Sequence, residues 1–421
     1  MLRHEDNERL VRVGPGTPMG NLLRRYWHPV LMTPELAEPD GAPMRVRLLC
    51  EDLIAFRDTD GKVGLVDAYC AHRRAPLFYG RNEACGIRCV YHGWKFDVVG
   101  NCVDLPSEPA DSPMRAKVKL KSYPTYEKAG VIWAYMGPAE HTPPLPDFEW
   151  MRAPETHRFV SKSLQECNYL QALEGGLDSA HVSFLHNEQL DRVNPVTHDG
   201  APKLDVYPTD YGYTYTSDRK MSDNSRYMRI YHYIMPVQQM RGDTTPRGVF
   251  DEVPKFDGHF WVPIDDEQTW TWNWMYGYDQ NAVITPEMAL KSEKRAGRGE
   301  DDFIPGTVAL KRNRSNDHLI DRQRQKTTSF TGVTGIATQD MAITEGMGPI
   351  ADRTREYLGT TDKAVIAMRK MLLDATYAVE RGEVPPGINP EKHRNIRPVD
   401  RIIPANADWR EALAEELVAK W

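Results

Sequence analysis

The chain has 421 residues, enough for two domains, and its 53 basic and 60 acidic residues give a formal net charge of −7. It contains no basic run that suits nucleic acid and no apolar segment long enough to span a bilayer, so we expect neither a nucleic-acid partner nor a membrane protein. Its six cysteines do not form a disulfide framework, and residues 1–8 are charged where a signal peptide needs an apolar core, which predicts a cytoplasmic protein.

The first predicted element lies within residues 13–37. Pro18, followed by Leu22, Leu23 and Tyr26, predicts a turn into a short amphipathic helix. Such an aromatic cluster is typical of a packing surface. We therefore interpret residues 1–41 as an N-terminal segment that packs on the core.

Residues 45–135 contain short apolar or alternating runs that are typical of β-strands. Gly, Pro and Asp residues interrupt these runs, which favours a small antiparallel β domain. The strand candidates are residues 46–49, 53–56, 63–66, 118–121 and 131–135. The proline-rich residues 141–146 indicate a boundary, so we place this domain at residues 42–145.

Two pairs of potential metal ligands lie inside this β domain. Cys70 and His72 form the first pair and, after a gap of 16 residues, Cys89 and His92 form the second. Two thiolates and two imidazoles can hold a tetrahedral zinc ion. They also match a [2Fe–2S] cluster in which cysteines hold one iron and histidines hold the other.

The residues that flank the second pair separate these alternatives. Gly93 lets the backbone approach the sulfurs of a cluster, and Trp94 and Phe96 would pack beneath it, whereas a zinc finger needs none of the three. The two loops resemble the two-box fingerprint of the Rieske non-haem iron oxygenases. The resemblance implies a Rieske-type [2Fe–2S] cluster whose ligands are Cys70, His72, Cys89 and His92.

A second group of potential ligands lies in residues 168–186. Asp178 and His181 are expected to share one helical face, and the helix must bend or end before His186 if both histidines are to reach one ion. An iron with two histidine ligands needs a carboxylate to complete a facial triad and leaves positions open for O₂. Residues 335–345, with an acid after a polar residue and a glutamate five places on, resemble the pattern of the same family, which implies Asp340 as that carboxylate; Glu345 is the competing assignment.

This segment also resembles the catalytic-iron motif of the Rieske oxygenases, an acid followed by two histidines. The resemblance implies that His181, His186 and Asp340 hold a mononuclear Fe(II) and that Asp178 is a bridging carboxylate. In that family the cluster of one subunit lies beside the mononuclear iron of its neighbour. Electrons would therefore pass from His92 through Asp178 to His181, and the head-to-tail arrangement implies a homotrimer or stacked trimers.

The remaining chain, residues 146–421, predicts a catalytic domain with an antiparallel sheet flanked by helices, and the fold class is therefore α+β. The strand candidates are residues 211–215, 226–235, 259–262 and 269–274. At least one face of this sheet should wall the substrate cavity. Residues 291–302 predict a solvated loop, and residues 361–381 and 408–421 predict helices.

Residues 18–27, 130–137 and 348–359 resemble the phthalate dioxygenase branch of the family. The resemblance implies an aromatic-ring-hydroxylating dioxygenase that consumes O₂ and receives NADH electrons from a separate reductase containing FMN and a [2Fe–2S] ferredoxin centre. No nicotinamide or flavin motif occurs in this sequence, which agrees with a separate reductase.

The resemblance also predicts a carboxylated, phthalate-like aromatic substrate that undergoes cis-dihydroxylation. Arginine is suited to bidentate recognition of carboxylates, and the candidates are Arg226, Arg229 and Arg241, with Ser179 as a further hydrogen-bonding group. Arg226 and Arg229 must point to opposite faces of a regular strand, so at most one of them serves as a clamp. The alternatives are O-dealkylation or ether cleavage of methoxybenzoates or phenoxybenzoates and, from a different class, a Rieske electron carrier without oxygenase activity.

Overall fold

The structure is a computed structural model that describes residues 1–187, 196, 199–221, 223–242 and 255–421. The chain divides into a large unit, residues 1–12, 17–19 and 146–421, and a small unit, residues 13–16 and 20–145. Residues 1–41 are thus divided between the two units, and the bounds predicted for the domains stay predictions. Two helices begin the chain, α1 (His4–Val11) and α2 (Pro18–Leu23).

The small unit contains ten short strands, which form three antiparallel sheets. The strands are β1 (Trp27–Met32), β2 (Met44–Leu48), β3 (Glu51–Arg57), β4 (Val63–Asp67), β5 (Arg81–Asn82), β6 (Ile87–Arg88), β7 (Lys95–Phe96), β8 (Cys102–Asp104), β9 (Thr125–Lys128) and β10 (Val131–Tyr135). Their orders are β1-β10-β9, β2-β3-β4 and β5-β6-β7-β8. One helix, α3 (Met114–Lys117), lies between β8 and β9. The strand expected at residues 118–121 is wrong, because Lys119 takes part only in an isolated bridge to Asn101.

The core of the small unit surrounds the two predicted cluster cysteines. Cys70 and Cys89 belong to one buried apolar cluster that includes Leu77, Trp94 and Phe96. The two loops that carry the cysteines are therefore fixed by apolar packing on both sides, which holds the four potential ligands in place.

The large unit is built on one antiparallel sheet of eight strands. The strands are β11 (Arg158–Gln165), β12 (Lys203–Thr209), β13 (Gly212–Lys220), β14 (Ser225–Ile234), β15 (Gln238–Gly242), β16 (Lys255–Pro263), β17 (Thr269–Gly277) and β18 (Val399–Pro404). The order is β11-β17-β16-β15-β14-β13-β12, and β18 pairs with β14. The predicted α+β class is confirmed, and the four strand candidates of this unit fall on β13, β14, β16 and β17.

Eight helices of the described residues belong to the large unit beyond residue 146. They are α4 (Glu149–Arg152), α5 (Tyr169–Leu177), α6 (Val182–Leu185), α7 (Pro286–Ala296), α8 (Arg322–Thr327), α9 (Ile336–Gly346), α10 (Lys363–Glu380) and α11 (Trp409–Ala412). Within the described residues no helix combines the length and the apolar character that crossing a membrane requires.

Two expectations for this unit are wrong. Residues 291–296 belong to α7, because the Thr285 side chain caps that helix by accepting from Met288 N, and the helix ends where Gly297 adopts φ +83°.

The last predicted helix is only four residues long, although Asp408 does cap it. Its continuation is replaced by a tail in which Lys420 N donates to Glu149 and Trp421 Nε1 donates to the Gly277 carbonyl.

The two faces of the sheet differ, and this difference positions the cavity. On β17 the even-numbered Trp272 and Trp274 are buried, and Trp274 stacks on Trp150 with ring centroids 5.4 Å apart. Thr271 and Asn273 point the other way and line a cavity. The tryptophan stripe is therefore mainly core, and the polar face of the same strand walls the cavity.

Candidate metal centres and substrate cavity

The four predicted cluster ligands lie on two loops of the small unit, one between β4 and β5 and the other between β6 and β7. Cys70 and Cys89 are free and buried, and the rings of His72 and His92 lie 4.5 Å apart. The Nδ1 atoms of both histidines are buried and have no hydrogen-bond partner among the described residues. Two orphaned ring nitrogens beside two buried thiols fit a bound metal group, which would supply the missing partners.

The local sequence explains how the second loop is shaped. Gly93 has φ +77°, and a Cβ atom at this position would lie 2.5 Å from Pro106 Cγ, so the turn requires glycine. Trp94 stacks on the His72 ring at 4.4 Å and donates from Nε1 to Ser107 at 3.0 Å. Trp94 thus fixes the orientation of one of the potential ligands.

The thiol of Cys70 is electrostatically disfavoured as an anion. Burial raises the pKa of the Cys70 thiol to about 12, and the neighbouring Cys89 adds to the increase. Thiolates in this environment need a cation beside them, because metal binding releases the thiol protons. The donor set therefore suits a metal centre better than a pair of structural thiols.

Three side chains of the large unit converge on one point. Asp340 Oδ1 lies 3.1 Å from His186 Nε2 and 3.4 Å from His181 Nε2, and the two Nε2 atoms are 3.3 Å apart. Two nitrogen lone pairs and a carboxylate oxygen that face one another repel unless a cation lies between them. The three residues therefore fit a divalent metal ion held by two histidines and one carboxylate.

The local fold brings the two histidines together. The helix α5 ends at Leu177, and the single-turn helix α6 lies between His181 and His186. Asp178 is outside both helices and accepts hydrogen bonds from Ala180 N at 2.7 Å and His181 N at 3.4 Å. The expectation that Asp178 and His181 share a helical face is therefore wrong, whereas the helix does end before His186.

The third carboxylate comes from the middle of a helix. Asp340 lies within α9, whose N-cap is Gly335, so Asp340 is not a capping residue. Glu345, the competing assignment, lies one turn further along and faces away from the site. It accepts from Glu166 N at 3.0 Å, and its other oxygen lies 3.2 Å from His318 Nε2.

Each histidine of this site has a different neighbour at Nδ1. His186 Nδ1 lies 2.7 Å from Gln339 Oε1, and His181 Nδ1 lies 3.6 Å from Asp178 Oδ2. Burial by itself lowers the pKa of His181, but Asp178 and Asp340 outweigh it and raise that pKa to about 10. The site thus favours positive charge at this point, as a cation-binding site should.

Ser179 does not face the cavity, which corrects its assignment as a substrate residue. It is 1% exposed, its hydroxyl lies 2.8 Å from Tyr231 Oη, and its carbonyl accepts from the buried Arg219. These contacts hold the turn that follows Asp178. Ser179 is therefore a structural support of the site.

The proposed ligands border a cavity of about 190 Å³. Its floor consists mainly of odd-numbered residues on β14 to β17, with the even-numbered Trp274 and parts of β11, and its other walls come from α5, α7 and α9. Apart from Asp178 and Asp340, the described lining includes two acids, Asp257 and Glu293. It includes five cationic side chains, which are Arg229, Arg241, Lys255, Arg295 and Arg298.

The structure separates the three candidate arginines. Arg226 lies outside the cavity, where it pairs with Asp218 at 2.7 Å, so it cannot serve as a clamp. Arg229 and Arg241 both line the cavity, and each donates from Nε to one carboxylate, Asp400 and Asp257 respectively. The terminal nitrogens of these two arginines make no hydrogen bond to the described residues, so they are available to an anion.

Sequence reasoning did not identify three polar residues that shape this site. Gln339 directly precedes Asp340, and this adjacency was the only feature of the sequence that could have placed Gln339 at the site. His259 and Asn273 lie on strands whose even-numbered residues are apolar, so a polar residue at an odd position could have indicated the cavity face. We based the interpretation of β17 on its tryptophan stripe instead of on these polar residues.

Comparisons with known protein families divide the chain in the same order as the predicted domains. A family described as the Rieske [2Fe-2S] domain matches residues 26–124. A family described as LigXa C-terminal domain like matches residues 134–420. The two matches together account for most of the chain.

Three curated relatives are similar over nearly their full length. The oxygenase subunit of phthalate 4,5-dioxygenase from Pseudomonas putida is 39% identical over 98% of this chain and 94% of its own length. The oxygenase subunit of 3-chlorobenzoate-3,4-dioxygenase from Comamonas testosteroni is 37% identical over 98% of both chains. The oxygenase subunit of 5,5'-dehydrodivanillate O-demethylase from a Sphingobium species is 33% identical over 100% of this chain and 90% of its own.

Solved structures agree with the fold. NdmA from Pseudomonas putida CBB5 superposes with a TM-score of 0.63 at 19% identity, covering 93% of this chain and 100% of its own. Dicamba monooxygenase bound to dicamba superposes with a TM-score of 0.60 at 18% identity, covering 86% and 99% respectively.

Proposed function

This chain belongs to the Rieske non-haem iron oxygenases of aromatic compounds, and from this premise we propose that it hydroxylates a carboxylated aromatic with O₂ and electrons from a separate NADH-dependent reductase. The proposed reaction is cis-dihydroxylation of a phthalate-like acid. The observation that carries the proposal is one cavity in which His181, His186 and Asp340 converge beside an excess of cationic side chains.

Membership in the family gives the protein two metal centres, one Rieske [2Fe–2S] cluster and one mononuclear iron. In our proposal Cys70, His72, Cys89 and His92 hold the cluster. The iron is held by His181, His186 and Asp340. When bound, the cluster supplies single electrons and the iron supplies the site at which O₂ is activated.

The side chains of the cavity then have separate tasks. The terminal nitrogens of Arg241 and Arg229 bind the carboxylate of the substrate, and Asp257 and Asp400 keep the two guanidinium groups oriented through Nε. Gln339 holds His186 in the tautomer that presents the Nε2 lone pair to the metal. Asp178 accepts from the turn that carries His181 and provides the polar link toward the cluster of a neighbouring subunit.

Oxygenase components of this family act with separate electron donors and form oligomers. We propose a reductase containing FMN and [2Fe–2S] and a head-to-tail homotrimer or stacked trimers. Two exposed apolar surfaces support the ring. One is formed by Val90 and Tyr91 beside His92, and the other by Ile343 and Met347 of the large unit. Burial of both surfaces between neighbouring copies would remove them from water.

O-dealkylation is the second candidate reaction. It is supported by the O-demethylase among the relatives, which is 33% identical to this chain over its whole length. The same iron site and cationic cavity suit a methoxylated or phenoxylated benzoate. We set aside the Rieske electron carrier, because such a carrier needs neither the His181, His186 and Asp340 group nor the cavity beside it.

The test is a substrate screen on the holoenzyme with a family reductase and NADH. Benzoate, the phthalate isomers, methoxybenzoates and phenoxybenzoates would be supplied singly, and oxygen uptake and products would be measured together. We expect uptake coupled to a diol product for at least one acid, whereas formaldehyde release would identify O-demethylation. Full loading of both metals without any product would refute the assigned substrate class.

A further inference from the structure

Three polar side chains form a row across the sheet, and two of them, Asn273 and His259, line the cavity. Ser161 on β11, Asn273 on β17 and His259 on β16 are direct cross-strand partners in the antiparallel register. Asn273 Nδ2 lies 3.2 Å from Ser161 Oγ, and Asn273 Oδ1 lies 2.9 Å from His259 Nδ1. The row continues to Glu293 of α7, which accepts from Ser161 Oγ at 2.8 Å.

The ion pair at the end of the row fixes the direction of every hydrogen bond. Arg298 donates to both oxygens of Glu293 at 2.8 and 3.0 Å, so Glu293 is the acceptor at this end of the row. Ser161 must therefore donate its single hydroxyl proton to Glu293 and accept from the Asn273 amide nitrogen. The same nitrogen lies 3.4 Å from the Thr271 carbonyl, which agrees with this orientation of the amide.

The row determines which nitrogen of His259 carries the proton. Because Asn273 turns its oxygen toward His259, Nδ1 must donate, and the neutral ring then keeps a lone pair on Nε2. Burial, together with Arg241 and Arg298, holds the pKa of His259 well below its usual range, so the ring is neutral. His259 lines the cavity, and Nε2 has no hydrogen-bond partner among the described residues.

The carboxylates of Asp257 and Glu293 in this cavity are already paired with Arg241 and Arg298, whereas Nε2 of His259 is a neutral, oriented acceptor. Benzoate itself would satisfy the arginines but would leave the Nε2 lone pair without a donor. A buried acceptor that loses its water and gains no partner weakens binding.

We propose that the natural substrate is an aromatic acid with a second ring substituent that donates a hydrogen bond, a hydroxyl or an amino group, to Nε2 of His259. This inference rests on the proposed function, since it refines the substrate class of the same cavity. The arginines bind the carboxylate of the substrate, and the row from Glu293 to His259 favours a hydroxyl or amino substituent on its ring.

The test is equilibrium binding to the holoenzyme, without reductase and without oxygen, measured by calorimetry. The probes are the 2-, 3- and 4-isomers of hydroxybenzoate and aminobenzoate, each compared with the fluorobenzoate substituted at the same position, which is similar in size and has no donor. We expect the donor acid to bind about tenfold more tightly than its fluoro counterpart at one ring position at least.

Two variants connect this preference to the row. His259→Leu should reduce the preference to less than about threefold while fluorobenzoate binding is retained. Asn273→Asp should stabilise the imidazolium form of His259, which converts Nε2 into a donor, and should also abolish the preference. Met275→Leu is the control, because Met275 lines the cavity on the same strand face and the substitution conserves volume.

The outcomes separate this inference from the proposed function. Equal binding of donor and fluoro acids, or a preference that survives in either His259→Leu or Asn273→Asp, would overturn the inference while leaving the binding of aromatic acids intact. Absence of binding by every benzoate would refute the proposed function as well.

Discussion

The Nδ1 atom of His186 lies 2.7 Å from the side-chain oxygen of Gln339. The Gln339 amide nitrogen donates to the Val333 carbonyl at 2.9 Å, so the amide cannot turn over without losing that bond. His186 is therefore held with its proton on Nδ1 and its lone pair on Nε2. Gln339 and Asp340 are neighbours on α9, which means that one helix supplies both a proposed ligand and the support of another.

Gln339→Leu should weaken iron binding. The substitution leaves the Nδ1 proton of His186 without an acceptor, and loss of such an outer partner typically costs about 10- to 100-fold in metal affinity. Iron content after dialysis against a graded chelator series would measure the effect. Gln323→Leu, at an exposed position of α8, is the control, and equal iron retention in the two variants would argue against the role of Gln339.

Asp178→Asn should leave both metal centres occupied and slow the transfer of electrons between them. The amide keeps the size of the side chain but removes the negative charge that faces His181 Nδ1 at 3.6 Å. Single-turnover oxidation of the reduced cluster, followed optically with substrate and O₂ present, measures the rate. The control is Asp352→Asn, which changes an exposed carboxylate in the same surface pocket as Asp178 and should leave the rate as it is in the unmodified protein. An unchanged rate in Asp178→Asn would exclude the bridging role.

Arg241→Ala should weaken the binding of a carboxylated substrate more than that of its neutral amide. It removes a charge-assisted donor and leaves Asp257 facing the ligand without its partner. We expect a loss of about 1.5–3 kcal/mol for the acid. Binding of the acid and amide to Arg241→Ala and to the double variant Arg241→Ala, Asp257→Ala separates the lost attraction from the added repulsion. Equal losses for the acid and the amide in the double variant would remove Arg241 from the clamp.

Arg229 should contribute to stability as well as to binding. Its side chain is 2% exposed and pairs with Asp400, which is 4% exposed, at 2.9 Å. Removal of one partner leaves the other buried and charged, so Arg229→Ala should lower the free energy of unfolding by about 3–5 kcal/mol. Thermal unfolding would measure the loss. The double variant Arg229→Met, Asp400→Leu should recover most of the lost stability. If it does not, removal of the ion pair is not the cause of the destabilisation.

The buried neutral His232 should make stability depend on pH. Burial lowers its pKa to about 4, although the Arg397 carbonyl, which accepts from Nε2, partly opposes the decrease. The unfolded chain binds the proton near pH 6.5, so the contribution is complete above that pH and is lost progressively as the pH falls toward 4. The difference corresponds to about 3 kcal/mol.

His232→Gln removes this titration and keeps groups able to accept from Tyr211 and donate to Arg397. Unfolding of both proteins by denaturant at a series of pH values from 7.5 to about 4.5 compares the slopes. The variant should lose stability less steeply over this range. Parallel curves for the two proteins would show that His232 does not titrate as described.

The sequence was sufficient for elements whose signals are local. Two Cys/His pairs, the second followed by Gly93 and Trp94, and alternating apolar residues at 226–235 and 269–274 led to the α+β fold and to the family, both of which are confirmed. The residues assigned as ligands of each metal centre lie close together, which the assignments require. Their roles stay predictions until metal binding is measured.

Other features depended on tertiary contacts that no local pattern contains. The charged residues 291–296 looked solvated, but Glu293 is buried because the nearby Arg298 and the distant Ser161 of β11 both donate to its carboxylate. Ser179 looked like a substrate residue because of its position beside Asp178, whereas Arg219 and Tyr231 occupy its polar groups. In each case a partner distant in sequence decided the environment of the side chain.

The proposed metal ligands and the floor of the cavity come from different parts of the fold. His181, His186 and Asp340 lie on or beside α6 and α9, whereas Asp257, His259 and Asn273 project from the sheet at odd positions. Side chains on this face can be exchanged together with their hydrogen-bond partners, such as Asn273 with His259, while the opposite face keeps the tryptophan packing intact. The protein is therefore suited to directed evolution of new substrate ranges, with a library confined to the odd positions of β16 and β17 and the helices α6 and α9 left unaltered.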